Sequence, residues 1–192
     1  TGLLNFIALF IPVWLAWVGA AFFATRFDTD DLGHRILTLL QMMGAAAMAV
    51  NVPAGLGETS VGFALSYAAI RFILVIEYFR VARHIASARP LIERYLIGFS
   101  TSAIIWTVSA FVPPPFILWG IGLAIDFGTP LLAGRLAIRF APHISHLPER
   151  MGLFTIIVLG ESILGVVTGL GGHEWNIYST LSVGLGLSIP FS

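Results

Sequence analysis

Long uncharged apolar runs alternate with short arginine-bearing stretches along the chain. The first run, GLLNFIALFIPVWLAWVGAAFFAT, carries no charge over more than twenty residues, enough to cross a hydrocarbon core of about 30 Å as a helix. Reading on in the same way gives seven segments, with ends placed to about 2–4 residues. They cover residues 3–24, 35–53, 60–82, 94–112, 115–138 and 151–170, with a seventh starting near 176 and running off the end. VPAGLG, VPPP and GLGG punctuate three of the turns between them. The expected fold is all-α, a single polytopic transmembrane helix bundle.

The connecting stretches alternate in charge. Arg26 and Arg35 flank the first, Arg80, Arg83, Arg89 and Arg94 the third, and Arg135, Arg139 and Arg150 the fifth; the even-numbered ones carry no arginine. The excess of positive charge on cytoplasmic loops places residues 24–35, 80–94 and 135–150 in the cytoplasm, with a bacterial inner membrane as the expected location. Nine of the ten arginines obey this pattern, and Arg71 does not.

Composition agrees: 57% of the 192 residues are hydrophobic and 10% are charged, with mean hydropathy +0.92. Too few charged residues are present to cover a soluble domain. Formal net charge is zero, so nothing points to nucleic acid. Cysteine and lysine are absent, which excludes disulfides, thiolate chemistry and Schiff-base lysines. Thr1 already lies inside an apolar run and the last residues stop within one, so the sequence reads as a piece of a longer chain.

Three ionisable residues stand deep inside the apolar runs. Arg71 lies 11 residues from Ser60, Asp126 11 from Pro115 and Glu161 10 from Met151. At about 1.5 Å per residue each comes roughly 15–17 Å into its span, near the midplane. An ionised group facing lipid there costs about 2.5–3.5 kcal/mol on insertion scales, so all three are expected to look inward. Arg71 has no carboxylate at i±3 or i±4, where Tyr67 is the one polar neighbour, so its partner must come from another helix. One guanidinium against two carboxylates leaves a negative charge over, which suits a proton or cation site; a static cluster that fixes helix packing is the competing account. Pro130 cannot donate to the carbonyl of Asp126, and Gly128 lies between them, so a kink is expected beside that carboxylate. Broken helices of this kind build midplane sites in transporters, although proline kinks also occur without one.

Weaker signals are scattered elsewhere. Glu77 has Arg80 at i+3 and reads as an interfacial ion pair. In RFDTDDLGHR, Asp28, Asp30 and Asp31 precede the second segment; Asp30 or Asp31 is the expected helix cap, with a docking role as the alternative. HISH, residues 143–146, has metal-like spacing but no supporting ligand nearby. GES at 160–162 is no nucleophile elbow, because Leu164 stands where glycine is needed. No metal and no cofactor are expected.

RFDTDDLGHRILTLLQMMG (26–44) and HLPERMGLFTIIVLGESIL (146–164) together resemble the bacterial low temperature requirement A family. The resemblance implies a polytopic inner-membrane protein. By motif match it singles out Arg26, Asp28, Asp30, Asp31, Glu149, Arg150, Glu161 and Ser162, whereas Arg71 and Asp126 rest on depth alone. Members of that family are longer and begin with a span bearing an E-L-F-F-D-L-V-F-type motif, which is absent here. The leading functional expectation is a secondary transporter or an ion or proton pathway, with Arg71, Asp126, Glu161 and Ser162 as the binding residues. The lipid bilayer and a small molecule or ion would be its partners. The competing expectation is a non-transporting, cold- or stress-related membrane scaffold, with a homo-oligomer built on small-residue faces such as Ala16, Ala20 and Ala24. An intramembrane enzyme would need a nucleophile or metal cluster that the sequence does not offer.

Overall fold

The computed structural model describes residues 2–27, 31–139, 148, 149, 151–158, 160 and 161. These residues are helical and contain no strand. They fall into two units, Thr1–His143 and Ile144–Ser192, each taken by itself.

In the first unit the expected segments become α1 (Gly2–Arg26), α2 (Leu32–Asn51), α3 (Ser60–His84), α4 (Arg89–Ser109) and α5 (Phe116–Arg139), with a 3₁₀ turn at Ala86–Ala88. In the second unit residues 148 and 149, just before the expected sixth segment, and 151–158, 160 and 161, within it, are helical. The seventh lies outside the described residues, as does HISH. Among the described residues three helical stretches are long and apolar enough to cross a membrane: Gly2–Arg26, Ser60–His84 and Phe116–Gly134. The count of seven spans is not confirmed, since the described residues cover only part of the chain. For α2 and α4 polar residues lower the hydropathy: α2 includes His34, Arg35, Gln41 and Asn51, and α4 opens on Arg89, Glu93 and Arg94.

α3 is the central helix, packed against α1, α2 and α4, and α5 completes the bundle by packing on α4. The distribution of polarity inverts that of a soluble protein. Leu131 and Leu132 of α5 are 77% and 78% exposed, and α2 turns Leu39, Met42 and Met43 outward. Arg71, Glu77 and Asp126 are 2–3% exposed. An apolar exterior around buried charges suits a lipid solvent and would be a liability in water. Ala16, named in the small-residue face, is buried in one core cluster with Met48 and Tyr67.

Two details fix how the site is held. α4 and α5 approach closely at Gly98, where an added Cβ would run into the Thr129 hydroxyl and stand 2.7 Å from its Cγ2. Non-helical dihedrals inside α5 occur at Gly134, with φ 46° and ψ −122°, four residues beyond Pro130. Pro130 itself stays inside the helix and removes one hydrogen bond from it. A positive φ is accessible to glycine without a Cβ clash. Arg94 reaches across from α4 to donate to the Leu132 carbonyl at 2.9 Å, next to that interruption.

The Gly98 contact gives a direct test. Gly98→Ala should lower stability by about 1–3 kcal/mol through overpacking. Gly128→Ala, where an added Cβ meets nothing within 4 Å, should leave stability unchanged. Thermal unfolding of both variants in the same detergent checks the pair, and equal losses would contradict the packing described.

Candidate functional site

Arg71 occupies the middle of α3, and Asp126 the middle of the apolar stretch of α5. The two meet, as the depth argument required. Arg71 Nε lies 3.2 Å from Asp126 Oδ2. Tyr67, one turn before Arg71 on α3, joins them. Its hydroxyl oxygen accepts from Arg71 Nε at 2.9 Å and from Nη2 at 2.6 Å, and donates to Asp126 Oδ2 at 2.5 Å. The arginine also lies over two aromatic faces, its Cζ 4.9 Å from the Tyr67 ring centroid and 5.4 Å from that of Phe99. Charge, hydrogen bonds and ring contacts thus compensate a guanidinium that water does not reach.

The floor of this arrangement is aromatic. Tyr67 packs on Trp106, ring centroids 4.4 Å apart, and Trp106 stacks on Trp119 at 4.9 Å. Those rings fix Tyr67, and Tyr67 fixes the phenol between arginine and carboxylate. Asp126 Oδ1 is buried and makes no hydrogen bond among the described residues. Beside the pair opens a cavity of about 260 Å³. Arg71, Asp126 and Arg26 contribute its charged groups; Trp14, Phe22 and Phe127 are among its apolar walls. Arg26, predicted as a loop residue, belongs to this cavity: its Cζ lies 5.4 Å from the Tyr95 ring centroid, and its buried Nε has no hydrogen-bond partner among the described residues.

The other expected site residues go elsewhere. Glu161 lies in the second unit with its side chain exposed, and Glu149 in the same unit is exposed as well. Within the first unit Arg71 finds its partner on α5. Asp28, Asp30, Arg150 and Ser162 lie outside the described residues. Asp31 is the cap of α2: Oδ1 accepts from the His34 backbone N–H at 2.6 Å, and Oδ2 accepts from Arg80 Nη2 at 2.6 Å. A Cβ on Gly33 would fall on the Arg80 guanidinium, so glycine in DDLGHR leaves room for that bridge.

The expected Glu77–Arg80 pair does not form. Arg80 is turned to Asp31, and Glu77 faces α2, where Gln41 Nε2 donates to its Oε2 at 2.8 Å and His34 Nδ1 stands 3.1 Å from its Oε1. Spacing along α3 was a poor guide because Glu77 points into the bundle and Arg80 toward the mouth. A second cavity, about 240 Å³, adjoins this group and is lined by Asp31, His34, Glu77, Arg80 and His84 together with apolar residues. Sequence reading passed over His34 and Gln41; their i, i+7 spacing on α2, which puts both on one face, was the available signal. Among the described residues no group of three or more histidine, aspartate or glutamate side chains could hold a metal ion.

Apolar helices around buried charges define an integral membrane protein of the helix-bundle class. The chain belongs to the bacterial low temperature requirement A family, whose model matches residues 1–192. An uncharacterized protein of Rhizobium meliloti (strain 1021) is 25% identical over 185 residues, which cover 90% of this chain and 44% of that protein. The chain thus spans less than half the length of that curated relative. No solved structure matches it.

The Asp31 cap carries a pH signature. The His34 backbone N–H first, and Arg80 after it, hold the Asp31 carboxyl below its ordinary 3.8, although partial desolvation opposes them. A lowered folded value means that the carboxylate stabilises the start of α2 above the ordinary range, and that this contribution is lost as pH falls through the folded value. Amide protection factors in the first turn of α2, exchange rates taken relative to the intrinsic rate at each pH, should fall on acidification in the wild type and stay level in Asp31→Asn, which keeps a capping oxygen without the titration. A wild-type profile as flat as the variant's would contradict the cap.

Proposed function

We propose that this chain forms part of a membrane transport protein, passing a small solute or an ion through the cavity beside Arg71 and Asp126. The observation that carries the reading is a buried ion pair at the middle of two helices that borders open volume instead of being packed over on every side. An intramembrane charge pair with free space beside it can exchange a partner, which a closed one cannot. Asp126, with one oxygen committed to Tyr67 and Arg71 and the other without a hydrogen bond, is the acceptor for an incoming donor. Arg71 is its counter-charge, and Tyr67 orients both. Arg26 extends the same cavity toward the arginine-bearing end, which we place in the cytoplasm of a bacterial inner membrane from the arginine count of residues 24–35, 80–94 and 135–150. The reading assigns no catalytic role.

A scaffold remains the second reading, because hydrogen bonds and aromatic packing hold the pair firmly enough to serve helix association alone. Asp126→Asn separates the two. Reconstituted into proteoliposomes as the full natural chain, it should stay folded and lose pH-dependent flux of ions or solutes across the membrane. Wild-type flux in a folded Asp126→Asn protein would remove the transport reading.

A further inference from the structure

The second buried carboxylate, Glu77, is held differently from the first. Its side chain is 1% exposed, and no arginine pairs with it. Gln41 Nε2 satisfies Oε2. Oε1 lies 3.1 Å from His34 Nδ1, and neither atom makes a hydrogen bond among the described residues. A neutral imidazole cannot cancel a carboxylate, so an ionised Glu77 is buried without a fixed counter-charge. One further proton, on the carboxylate or on the imidazole, brings the pair to net neutrality.

We propose that His34 and Glu77 form a proton-binding site, with Gln41 orienting the carboxylate and the adjoining cavity giving water access to it. The bound species is one proton taken from the aqueous phase on the arginine-bearing side. The groups facing it can be named for each neighbouring helix. From α2 come Gln41 and the Asp31 cap. From α3 come Arg80, committed to Asp31 at 2.6 Å, and His84, whose Nδ1 lies 2.8 Å from the Arg80 carbonyl oxygen. α1 presents the Phe23 ring, 5.9 Å from the His34 ring centroid. Asp31 and Arg80 thus neutralise each other at the mouth and leave His34 and Glu77 to exchange the proton with water.

The site also has a position relative to the first cavity. Phe23 lines the outer cavity and Tyr78 the inner one, and their rings meet edge to face with centroids 5.0 Å apart. Six residues of α3 separate Glu77 from Arg71, about 9 Å along the helix axis. An aromatic partition between a proton site and a substrate cavity suits coupling of proton entry to solute movement. That last step rests on the transport reading; the proton site does not.

Infrared difference spectroscopy of the full chain in lipid nanodiscs, with pH stepped across the carboxyl and imidazole ranges, tests the site. The wild type and Asp126→Asn should show a titrating carboxyl or imidazole band that is lost in Glu77→Gln and lost or displaced in His34→Gln. Glu77→Gln preserves side-chain shape, and circular dichroism confirms that each variant is folded. If the wild-type bands persist in Glu77→Gln, or both variants titrate like the wild type, the proton site is refuted. If the bands are lost as stated and the wild type carries no flux, the transport reading fails and the proton site stands.

Discussion

A guanidinium in the middle of a bilayer is tolerated only where something cancels it. In this bundle the cancellation is local and complete to first order: Arg71 and Asp126 form a neutral pair, and the Tyr67 hydroxyl accepts from one partner and donates to the other. The remaining architecture follows from placing those three groups together. α3 must be central because it carries two of them. α5 must reach α3 although its packing is on α4, and α4 must be slim at Gly98 to let it approach. Aromatic rings from α3, α4 and α5 then seal one side of the pair, while the other side remains a cavity.

The same helix carries a second polar layer nearer the arginine-bearing end. There the groups facing Glu77 are an amide and an imidazole from α2, neither of which carries a fixed charge. Arg80, which could have neutralised Glu77 permanently, is taken by Asp31. The two buried carboxylates among the described residues are therefore held in different manners: Asp126 by a fixed positive charge, Glu77 without one. That contrast, together with the Phe23–Tyr78 contact between the two cavities, distinguishes the arrangement from a uniform charge cluster.

Depth was legible in the sequence and azimuth was not. Counting residues from the start of each apolar run placed Arg71 and Asp126 at one level, because axial rise is nearly constant. Which carboxylate meets Arg71 depends on helix rotation and on which helices are neighbours, so the sequence left Asp126 and Glu161 equally eligible. Tyr67 stood at i−4 in plain sight, yet its part as a bridge needed the Asp126 oxygen to be located. Glu77 illustrates the reverse: i, i+3 spacing suggested Arg80, but the close groups across the helix interface prevailed. The interruption at Gly134 was not singled out in the sequence, because a glycine shows that it can take a positive φ but not that it does. The Asp31 cap was readable because capping depends on adjacent residues.

The central claim is that Arg71 and Asp126 neutralise each other inside the bundle. A double-mutant cycle measures it most directly, with reversible unfolding in mixed micelles of the wild type, Arg71→Met, Asp126→Leu and the double variant. Each single substitution leaves an uncompensated buried charge and should cost about 3–5 kcal/mol, whereas the double should recover most of that loss. Additive losses, with no coupling between the two positions, would contradict the account.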